Sequence, residues 1–213
     1  MRQYQPLNME TQFIFDSSVN EQNVIVTISA ISNSISAGAT KLNLFVSSPG
    51  GDMDAGFRLY DFLRSLPIEV ITIGFGQVNS IAVIIFLAGE HRKCTRGCTF
   101  FIHEGSFTNA YQNTAFKIIE ESNMLLTSQR KKNIDTISER TGKDGEQITN
   151  IANNGKILTA SQAKNLNIVE EVIEKLPLQK LTQLPATQPT PQIPQPIITP
   201  TPSPSPTTTT GTH

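Results

Sequence analysis

The stretch Gly74-Phe-Gly-Gln-Val-Asn-Ser80-Ile-Ala-Val-Ile-Ile-Phe-Leu-Ala88 decides the fold of this chain, and a β-prone run, Glu69-Val-Ile-Thr-Ile73, leads into it. This order of β-prone, glycine-containing polar and continuously apolar residues predicts a strand, a sharp turn and a buried helix. Ser80 opens the helix, beside unpaired backbone N–H groups and the positive end of the helix dipole. Serine at such a position is typical of an N-cap, and it is also well placed for a nucleophile.

The preceding segment has the same plan. Lys41-Leu-Asn-Leu-Phe-Val46 is a β-prone run, and it leads into Ser47-Ser-Pro-Gly-Gly51, a strong turn signal. Asp52 and Asp54 suit the first turn of a helix, and the apolar residues after them recur at helical spacing until Pro67 ends the pattern. The sequence therefore predicts a second unit of strand, turn and helix.

A third predicted strand brings a histidine to the same edge. Thr99-Phe-Phe-Ile102 is short and apolar, and His103 follows it directly. Alternating strands and helices predict an α/β fold with parallel strands, in which sites form at the carboxyl ends of the strands. We therefore expect the Gly50-Gly51 turn, Ser80 and His103 to lie close together.

These residues are the ones that serine-based acyl transfer requires. Ser80 is the candidate nucleophile and His103 is the candidate base. The N–H groups of Gly50 or Gly51 and of Ile81 are candidate donors to an oxyanion. Two plainer interpretations stay open: a histidine that only ends a core strand, and a glycine turn that binds phosphate, although the sequence has no Walker A pattern.

Composition bounds the remaining classes of function. The chain has 213 residues, 38% of them hydrophobic, and a net charge of −1. The length predicts one domain with or without a tail. The net charge predicts no broad electrostatic field that would favour binding to nucleic acid or to an anionic membrane. The N-terminus has no apolar signal region, and the longest apolar run, from Ile81 to Gly89, is too short to span a bilayer. We therefore expect a cytoplasmic protein with no membrane association.

The cysteines do not indicate a scaffold or a metal site. Cys94 and Cys98 are the two cysteines of the chain, and His91 lies three residues before Cys94. Zinc sites need three or four ligands, and the sequence contains no second cluster of cysteine and histidine. We expect reduced thiols, no metal and no cofactor.

The second half of the sequence is predicted to be mainly helical. From Gln112 to Arg140 there is no glycine or proline, and apolar residues recur at near-helical intervals. This predicts one long helix or a kinked pair, which either projects against another subunit or lies on the surface. Thr141-Gly142 closes it. A short helix over residues 145–152, a helix capped by Thr159 and a closing strand over residues 168–173 complete the domain.

Three regions differ in character along the chain. Residues 1–12 form an N-terminal segment that we expect to be flexible, and residues 13–177 form the domain. Val24-Ile-Val-Thr-Ile28 near its start fits either a strand or the beginning of a helix. Residues 178–213 are dominated by proline, threonine, glutamine and serine, which predicts a disordered tail with some polyproline II character.

Six motifs in order make the domain recognisable. Together they resemble the proteolytic subunit of the Clp protease, the ClpP family of self-compartmentalised serine peptidases, over roughly Phe13 to Lys175. The resemblance implies an α/β fold of repeated β-β-α units, shared with the crotonases, and a protruding handle helix. The motifs are Val46-Ser-Ser-Pro-Gly-Gly51, Ala55-Gly56 with Tyr60-Asp61, Gly76-Gln-Val-Asn-Ser80, Phe101-Ile-His103, Thr141-Gly142 with Glu146-Gln-Ile148, and Leu158-Thr-Ala160 with Ala163.

The resemblance also implies roles for individual residues. Ser80 falls on the family's nucleophile, His103 on its general base, and Gly50 or Gly51 with Ile81 on the oxyanion-hole donors. The Gln112–Arg140 helix falls on the handle, through which two rings of subunits stack into a closed barrel. The implied partners are further copies of the chain, peptide or unfolded protein substrates, and an AAA+ unfoldase.

The chain departs from the family at the triad aspartate. That region reads Asn153-Asn154-Gly155, with Gly155 at the position of the aspartate in a gap-free alignment. Because an asparagine can orient a histidine, Asn154 or else Asn153 is the candidate third member. Two alternatives therefore stand beside the serine peptidase. One is a weak or inactive ClpP-like subunit with a structural or regulatory role, and the other is a crotonase-type acyl-CoA enzyme, for which the Ser80 turn supplies no carboxylate base.

Overall fold

The computed structural model describes residues 9–103 and 116–178. The strands in these ranges are β1 Glu10–Asp16, β2 Lys41–Ser48, β3 Glu69–Asn79, β4 His91–Thr95, β5 Thr99–Ile102, β6 Lys156–Thr159 and β7 Glu171–Ile173. The helices are α1 Glu21–Ser36, α2 Met53–Arg64, α3 Ile81–Leu87, α4 Phe116–Thr141, α5 Gly145–Asn153 and α6 Ala160–Asn165.

The main sheet is parallel and has the order β1-β2-β3-β4-β7. β3 is long enough to serve two neighbours on one side. Its residues 71–74 pair with β4, and its residues 77–79 pair with β5. β6 then joins β5 in the antiparallel sense. The predicted α/β architecture with parallel strands is confirmed, and the carboxyl ends of β2, β3 and β5 meet at one edge.

The polar segment before Ser80 is a strand, so our prediction of a turn there was wrong. We expected the strand to end at Gly74, but β3 continues to Asn79. After a register shift in β2, Ser48 pairs with Val78, and β5 pairs with residues 77–79 from the other side. Hydrogen bonds to two strands satisfy the backbone of this segment, and local β-propensity does not report such long-range pairing.

The ambiguous segment from Val24 to Ile28 is helical. It belongs to α1, where Asn20 is the N-cap and its side chain accepts a hydrogen bond from the Asn23 N–H at 2.8 Å. Val24 and Ile31 are buried at a spacing of seven residues, so α1 presents one apolar face to the sheet. The cap and the helical spacing together decide the segment in favour of a helix.

α3 is buried on all sides, as its uninterrupted apolar sequence predicts. α2 packs closely against its first turn because Gly56 has no side chain. A Cβ at Gly56 would lie 2.2 Å from Cγ1 of Ile81. A smaller cluster on another part of the sheet contains Phe45, Ile71 and Ile73. The position of α3, and with it Ser80, is therefore determined by the packing of the main core.

α4 confirms the predicted long helix within the described residues. It ends at Thr141, and Gly142 follows with a φ of 67°, as the closing Thr-Gly pair predicts. The predicted start at Gln112 lies outside the described residues. The second half of α4 contacts the body of the domain. Arg130 Nη2 donates to Asn153 Oδ1 at 2.7 Å, and Lys132 Nζ lies 3.8 Å from the centre of the Phe57 ring.

The C-terminal elements also follow the prediction, with one addition. α5 begins and ends close to the expected residues, and Thr159 starts α6 with a capping box to Gln162. The closing strand is confirmed as β7, shorter than expected. β6 was not predicted, because it is defined by its pairing with β5. Across the described ranges, none of the helices has both the length and the apolar character needed to cross a membrane. The predicted tail beyond residue 178 lies outside these ranges.

Candidate active site at the Ser80 turn

Ser80 stands between β3 and α3 in a backbone conformation that few residues adopt. Its φ is 56° and its ψ is −128°, whereas an ordinary N-cap residue has an extended backbone. Its hydroxyl makes no capping hydrogen bond to α3. The capping interpretation therefore explains the position of Ser80 but not its geometry. Strained residues of this kind cost about 1–3 kcal/mol and cluster at functional sites.

Neighbouring segments hold Ser80 in this conformation. The Ser80 N–H donates to the Phe101 carbonyl at 2.7 Å, which fixes the end of β3 against β5. The Gly50 turn lies directly beside it, since a Cβ at Gly50 would come within 2.8 Å of Ser80 Cβ. The turn after β2 and the turn after β3 thus meet, as the parallel arrangement predicts.

His103 follows β5 directly and is half-buried. Its imidazole stacks on the ring of Phe101, with 4.8 Å between ring centroids and 12° between ring planes. Ser80 and His103 line the same cavity, which has a volume of about 290 Å³. The structure therefore brings together the two residues that the sequence pairs as nucleophile and base.

One wall of this cavity comes from α4, which we predicted to project against another subunit or to lie on the surface. Nothing in the local sequence indicates that these residues line a site, because they come together with Ser80 only through packing. The α4 residues of the wall are Asn123, Leu126, Thr127, Arg130, Asn133, Ile134 and Ile137. Met53, Ile102 and Ala152 complete the described lining.

Asn133 has an unusual place in that wall. Its Oδ1 atom is buried, and within the described part of the chain it has no hydrogen-bond partner. A buried acceptor without a partner costs about 1–3 kcal/mol and needs an explanation. Asn133 also lines the cavity that contains Ser80, so this unfavourable feature belongs to the same part of the fold as the candidate nucleophile.

The Gly50-Gly51 turn is held by hydrogen bonds to Val19 and to Ser48. The Val19 N–H donates to the Gly50 carbonyl at 2.9 Å, and the Asp52 N–H donates to the Val19 carbonyl at 2.8 Å. The Gly51 N–H takes no part in this bridge to Val19. The Gly50 N–H donates to Ser48 Oγ at 3.1 Å. A Cβ at Gly51 would lie 2.1 Å from the Val19 carbonyl oxygen, so only glycine fits this position.

Ile81 is the first residue of α3 and is fully buried. The N–H groups in the first turn of a helix have no acceptors within the helix, and they lie at the positive end of its dipole. The Ile81 N–H directly follows Ser80, so it is next to any oxyanion formed on a group bound to the Ser80 hydroxyl. The Ile81 N–H and the Gly50-Gly51 turn thus flank Ser80.

The candidate third members lie elsewhere. Asn154 Nδ2 donates to the Asn150 carbonyl at 2.7 Å, and Asn154 lines a separate surface pocket at the end of α5. Asn153 Oδ1 accepts from Arg130, whose side chain lines the cavity. Among the described residues that line the cavity, neither asparagine is present. Gly155 has a φ of 54°, and its Cβ direction points to the Phe101 ring.

His91 and the cysteines do not combine into a metal centre in the described residues. His91 lies at the start of β4, between the carboxylates of Glu69 and Glu170. Cys94 and Cys98 are buried free thiols. The hydrogen bond between them lowers the pKa of Cys94 and raises that of Cys98, and burial raises the Cys98 pKa further.

The chain is similar to known proteins over the region that carries this site. Residues 2–176 match the family model described as Clp protease. The chain belongs to the Clp protease family. This match confirms the resemblance to the Clp protease family that the six sequence motifs indicate.

Two curated relatives in the Clp protease family show how far the likeness extends. ATP-dependent Clp protease proteolytic subunit 2 of Corynebacterium diphtheriae is 30% identical over 135 residues, which are 62% of this chain and 66% of the relative. ATP-dependent Clp protease proteolytic subunit 3 of Nocardia farcinica is 29% identical over 143 residues, which are 65% of this chain and 64% of the relative. The chain thus spans a little under two thirds of the length of these relatives.

A solved structure confirms the predicted fold class. A mutant of ClpP1 from Listeria monocytogenes matches with a TM-score of 0.70 and 23% identity, over 77% of this chain and 91% of that one. At this identity the likeness shows the fold alone. The Clp protease fold accounts for the parallel sheet, the buried α3 helix and the long α4 helix.

Proposed function

We propose that this chain is a serine peptidase subunit that hydrolyses peptide bonds through Ser80 and His103. The observation that carries the proposal is the shared cavity, in which a strained serine at the start of a buried helix and a half-buried histidine are found together. Membership of the Clp protease family supports the same reaction. The proposed role of each residue follows from its chemistry.

The reaction begins when Ser80 Oγ attacks the peptide carbonyl carbon while the His103 imidazole takes the hydroxyl proton. The carbonyl electron pair moves onto oxygen, where the N–H groups of Gly51 or Gly50 and of Ile81 donate hydrogen bonds. The carbon–nitrogen bond then breaks, and the amine leaves with the proton from His103. Water attacks the acyl-enzyme by the same proton transfers, which releases the carboxylic acid and restores Ser80.

The backbone donors are the largest electrostatic contribution that the site offers. Removal of one oxyanion-hole donor in a serine peptidase costs about 10²–10³-fold in turnover. The fixed turn at Gly51 and the buried first turn of α3 supply donors that need no rearrangement during reaction. This preorganisation supports acyl transfer even where the third member of the triad differs from the family.

The proposed assembly is a pair of stacked rings of this chain, with α4 at the contact between rings. Met124 and Leu125 of α4 are 69% and 48% exposed, which supports packing of this helix against another copy. Peptides and unfolded proteins are the proposed substrates. The names of the two curated relatives describe ATP-dependent proteases, which supports an AAA+ unfoldase as a partner.

A fluorophosphonate probe tests the nucleophile directly. We expect the probe to label the folded wild-type chain at Ser80, because the reagent forms a stable bond with an activated serine. Ser80→Ala should abolish labelling and peptide hydrolysis. Ser161→Ala, which removes an exposed serine of α6, should leave both unchanged. A well-folded wild type that is neither labelled nor active would contradict the proposal.

The second candidate is a ClpP-like subunit without catalytic activity. Gly155 favours an inactive subunit, because in a gap-free alignment it stands at the position of the family's triad aspartate and glycine has no carboxylate. In that case Ser80→Ala would leave every measurable activity of the assembled protein unchanged. The same comparison of wild type and Ser80→Ala therefore distinguishes the two candidates.

A further inference from the structure

Phe101 connects three parts of the site. Its carbonyl accepts the hydrogen bond of the Ser80 N–H at 2.7 Å, and its ring stacks on the His103 imidazole. The edge of the same ring lies 3.8 Å from where a Cβ at Gly155 would be. One residue therefore touches the nucleophile's backbone, the base's side chain and the position of the family's triad aspartate.

The stack restricts the orientation of His103. The two rings are nearly parallel, with 12° between their planes and 4.8 Å between their centroids. Aromatic rings arranged in this way attract each other beyond the burial of their area. Because a flat ring against a flat ring opposes rotation of the second side-chain torsion, the imidazole keeps one plane. A positive charge that develops on the imidazole also meets the negative face of the aromatic ring.

The backbone of Phe101 gives the stack a rigid base. β5 lies between β3 and β6, with Phe101 opposite Asn79 on one side and Ile157 on the other. Phe101 and His103 are two residues apart, so along an extended chain their side chains lie on the same face. The register of the sheet therefore sets the position of the stack.

We propose that Phe101 is a positioning residue, whose ring fixes the plane of the His103 imidazole for proton exchange with Ser80. This inference rests on the proposed peptidase function and deepens it. Phe101 acts through His103 and takes no part in bond making.

Gly155 gives a second route to test the role of Phe101. A Cβ at this position would be in ordinary contact with Cε2 and Cζ of the Phe101 ring. A carboxylate introduced by Gly155→Asp therefore meets the ring edge on its way to the imidazole. We expect Gly155→Asp alone to leave the labelling rate within about threefold of the wild type, because the ring that its Cβ contacts would separate the new carboxylate from the imidazole.

The first measurement is the rate of fluorophosphonate labelling of Ser80 in the full chain. Phe101→Leu should lower this rate at least about tenfold, since a small misplacement of a catalytic group has large effects. Phe101→Tyr keeps the aromatic face and should stay within about threefold of the wild type. Gly155→Asp added to Phe101→Leu should raise the rate above that of Phe101→Leu alone.

The second measurement does not depend on activity. The Phe101 ring should shift the NMR signal of His103 Hε1 upfield of the signals of the other two histidines, and the loss of a signal in His103→Gln assigns it. Phe101→Leu should remove this shift, and Phe101→Tyr should preserve it. Thermal unfolding of each variant checks that the chain is folded.

Each outcome decides one question. A wild type that labels, with no loss of rate in folded Phe101→Leu, overturns the positioning role alone. A His103 shift that persists in Phe101→Leu overturns the stack, and a tenfold gain from Gly155→Asp in the presence of Phe101 overturns the separation by the ring. A wild type that shows the shift but no labelling overturns the proposed peptidase function, and the positioning role with it.

Discussion

Two residues of the site lower the stability of the chain. Ser80 keeps a positive φ without being glycine, and Asn133 leaves a buried amide oxygen without a partner among the described residues. Each feature costs about 1–3 kcal/mol in the folded state. Both residues line the cavity that contains His103. The coincidence of two unfavourable features in one cavity is what a site that binds and reacts is expected to show.

Asn133 gives a prediction at this scale. Asn133→Leu should leave the stability unchanged or raise it by about 1 kcal/mol, because an unpaired buried acceptor is replaced by an apolar group of similar size. Because Asn133 lines the cavity, the same change alters the wall that substrate would contact, and it should raise the KM for peptide substrates about five- to tenfold. Thermal unfolding and steady-state kinetics measure the two effects.

Ser138→Ala is the matched control. Ser138 Oγ is the other buried and unpaired atom found among the described residues, and it lies on the same helix but does not line the cavity. Its removal should also preserve or raise stability, but it should not change the KM. An equal change of KM in both variants would contradict a substrate contact at Asn133.

At the scale of elements, α3 depends on what surrounds its two ends. Its first turn follows Ser80, and the carbonyls of its last residue and of the two residues after it accept hydrogen bonds from arginines that lie on three other elements. Arg140 donates to the carbonyls of Leu87 and Gly89 at 2.8 Å each, and Arg64 and Arg92 donate to Ala88 and Gly89 at 3.4 and 3.3 Å. Positive side chains at a helix C-terminus interact favourably with the negative end of the helix dipole.

Arg140→Met tests this arrangement. It removes two charge-assisted hydrogen bonds from buried carbonyls, so we expect a loss of about 2–3 kcal/mol of stability. For a domain of this size the midpoint of thermal unfolding should fall by about 4–12 °C. Arg96→Met is the control, because Arg96 forms an exposed pair with Glu174 and should cause no measurable change. Equal shifts in both variants would be inconsistent with a specific role at the end of α3.

On the scale of the whole molecule, the cavity joins the body of the domain to α4. β3, β5 and the start of α3 supply Ser80 and His103, while α4 supplies the opposite wall. The second half of α4 is tied to the body through Arg130, Gln129 and Lys132. Its first half exposes Met124 and Leu125. A contact between copies along α4 would therefore also bear on the shape of the cavity.

The assembly prediction uses these two side chains. Met124→Glu with Leu125→Glu places two charges in the proposed contact, and unpaired buried charges cost about 3–5 kcal/mol. Dissociation should then increase at least about a hundredfold. Light scattering on a sizing column should show a smaller species than the wild type. Met124→Leu with Leu125→Met, which keeps the surface apolar, should keep the wild-type mass. An unchanged mass in the glutamate variant would exclude this surface from the contact.

Some residues of the site could be predicted from the sequence and others could not. Ser80 and His103 were predictable because each follows a β-prone run, and parallel strands bring their carboxyl ends to one edge. The extension of β3 to Asn79 was not predictable, since its pairing partners come from distant segments. The wall from α4 and the stack of Phe101 on His103 also depend on packing. The assignment of Asn154 or Asn153 as third member stays a prediction.

By itself, the sequence determined most of the strands and helices, the buried character of α3, and the place of Ser80 and of the paired glycines after β-prone runs. These features follow from hydrophobic periodicity and from backbone preferences, which act between near neighbours in the chain. Only the tertiary structure decided that the Ser80 hydroxyl does not cap α3, that α4 lines the cavity and that the Phe101 ring stacks on His103 and lies close to Gly155. Those facts depend on contacts between segments that are far apart in sequence. Such contacts form only when the strands of the sheet pair in register and the core packs.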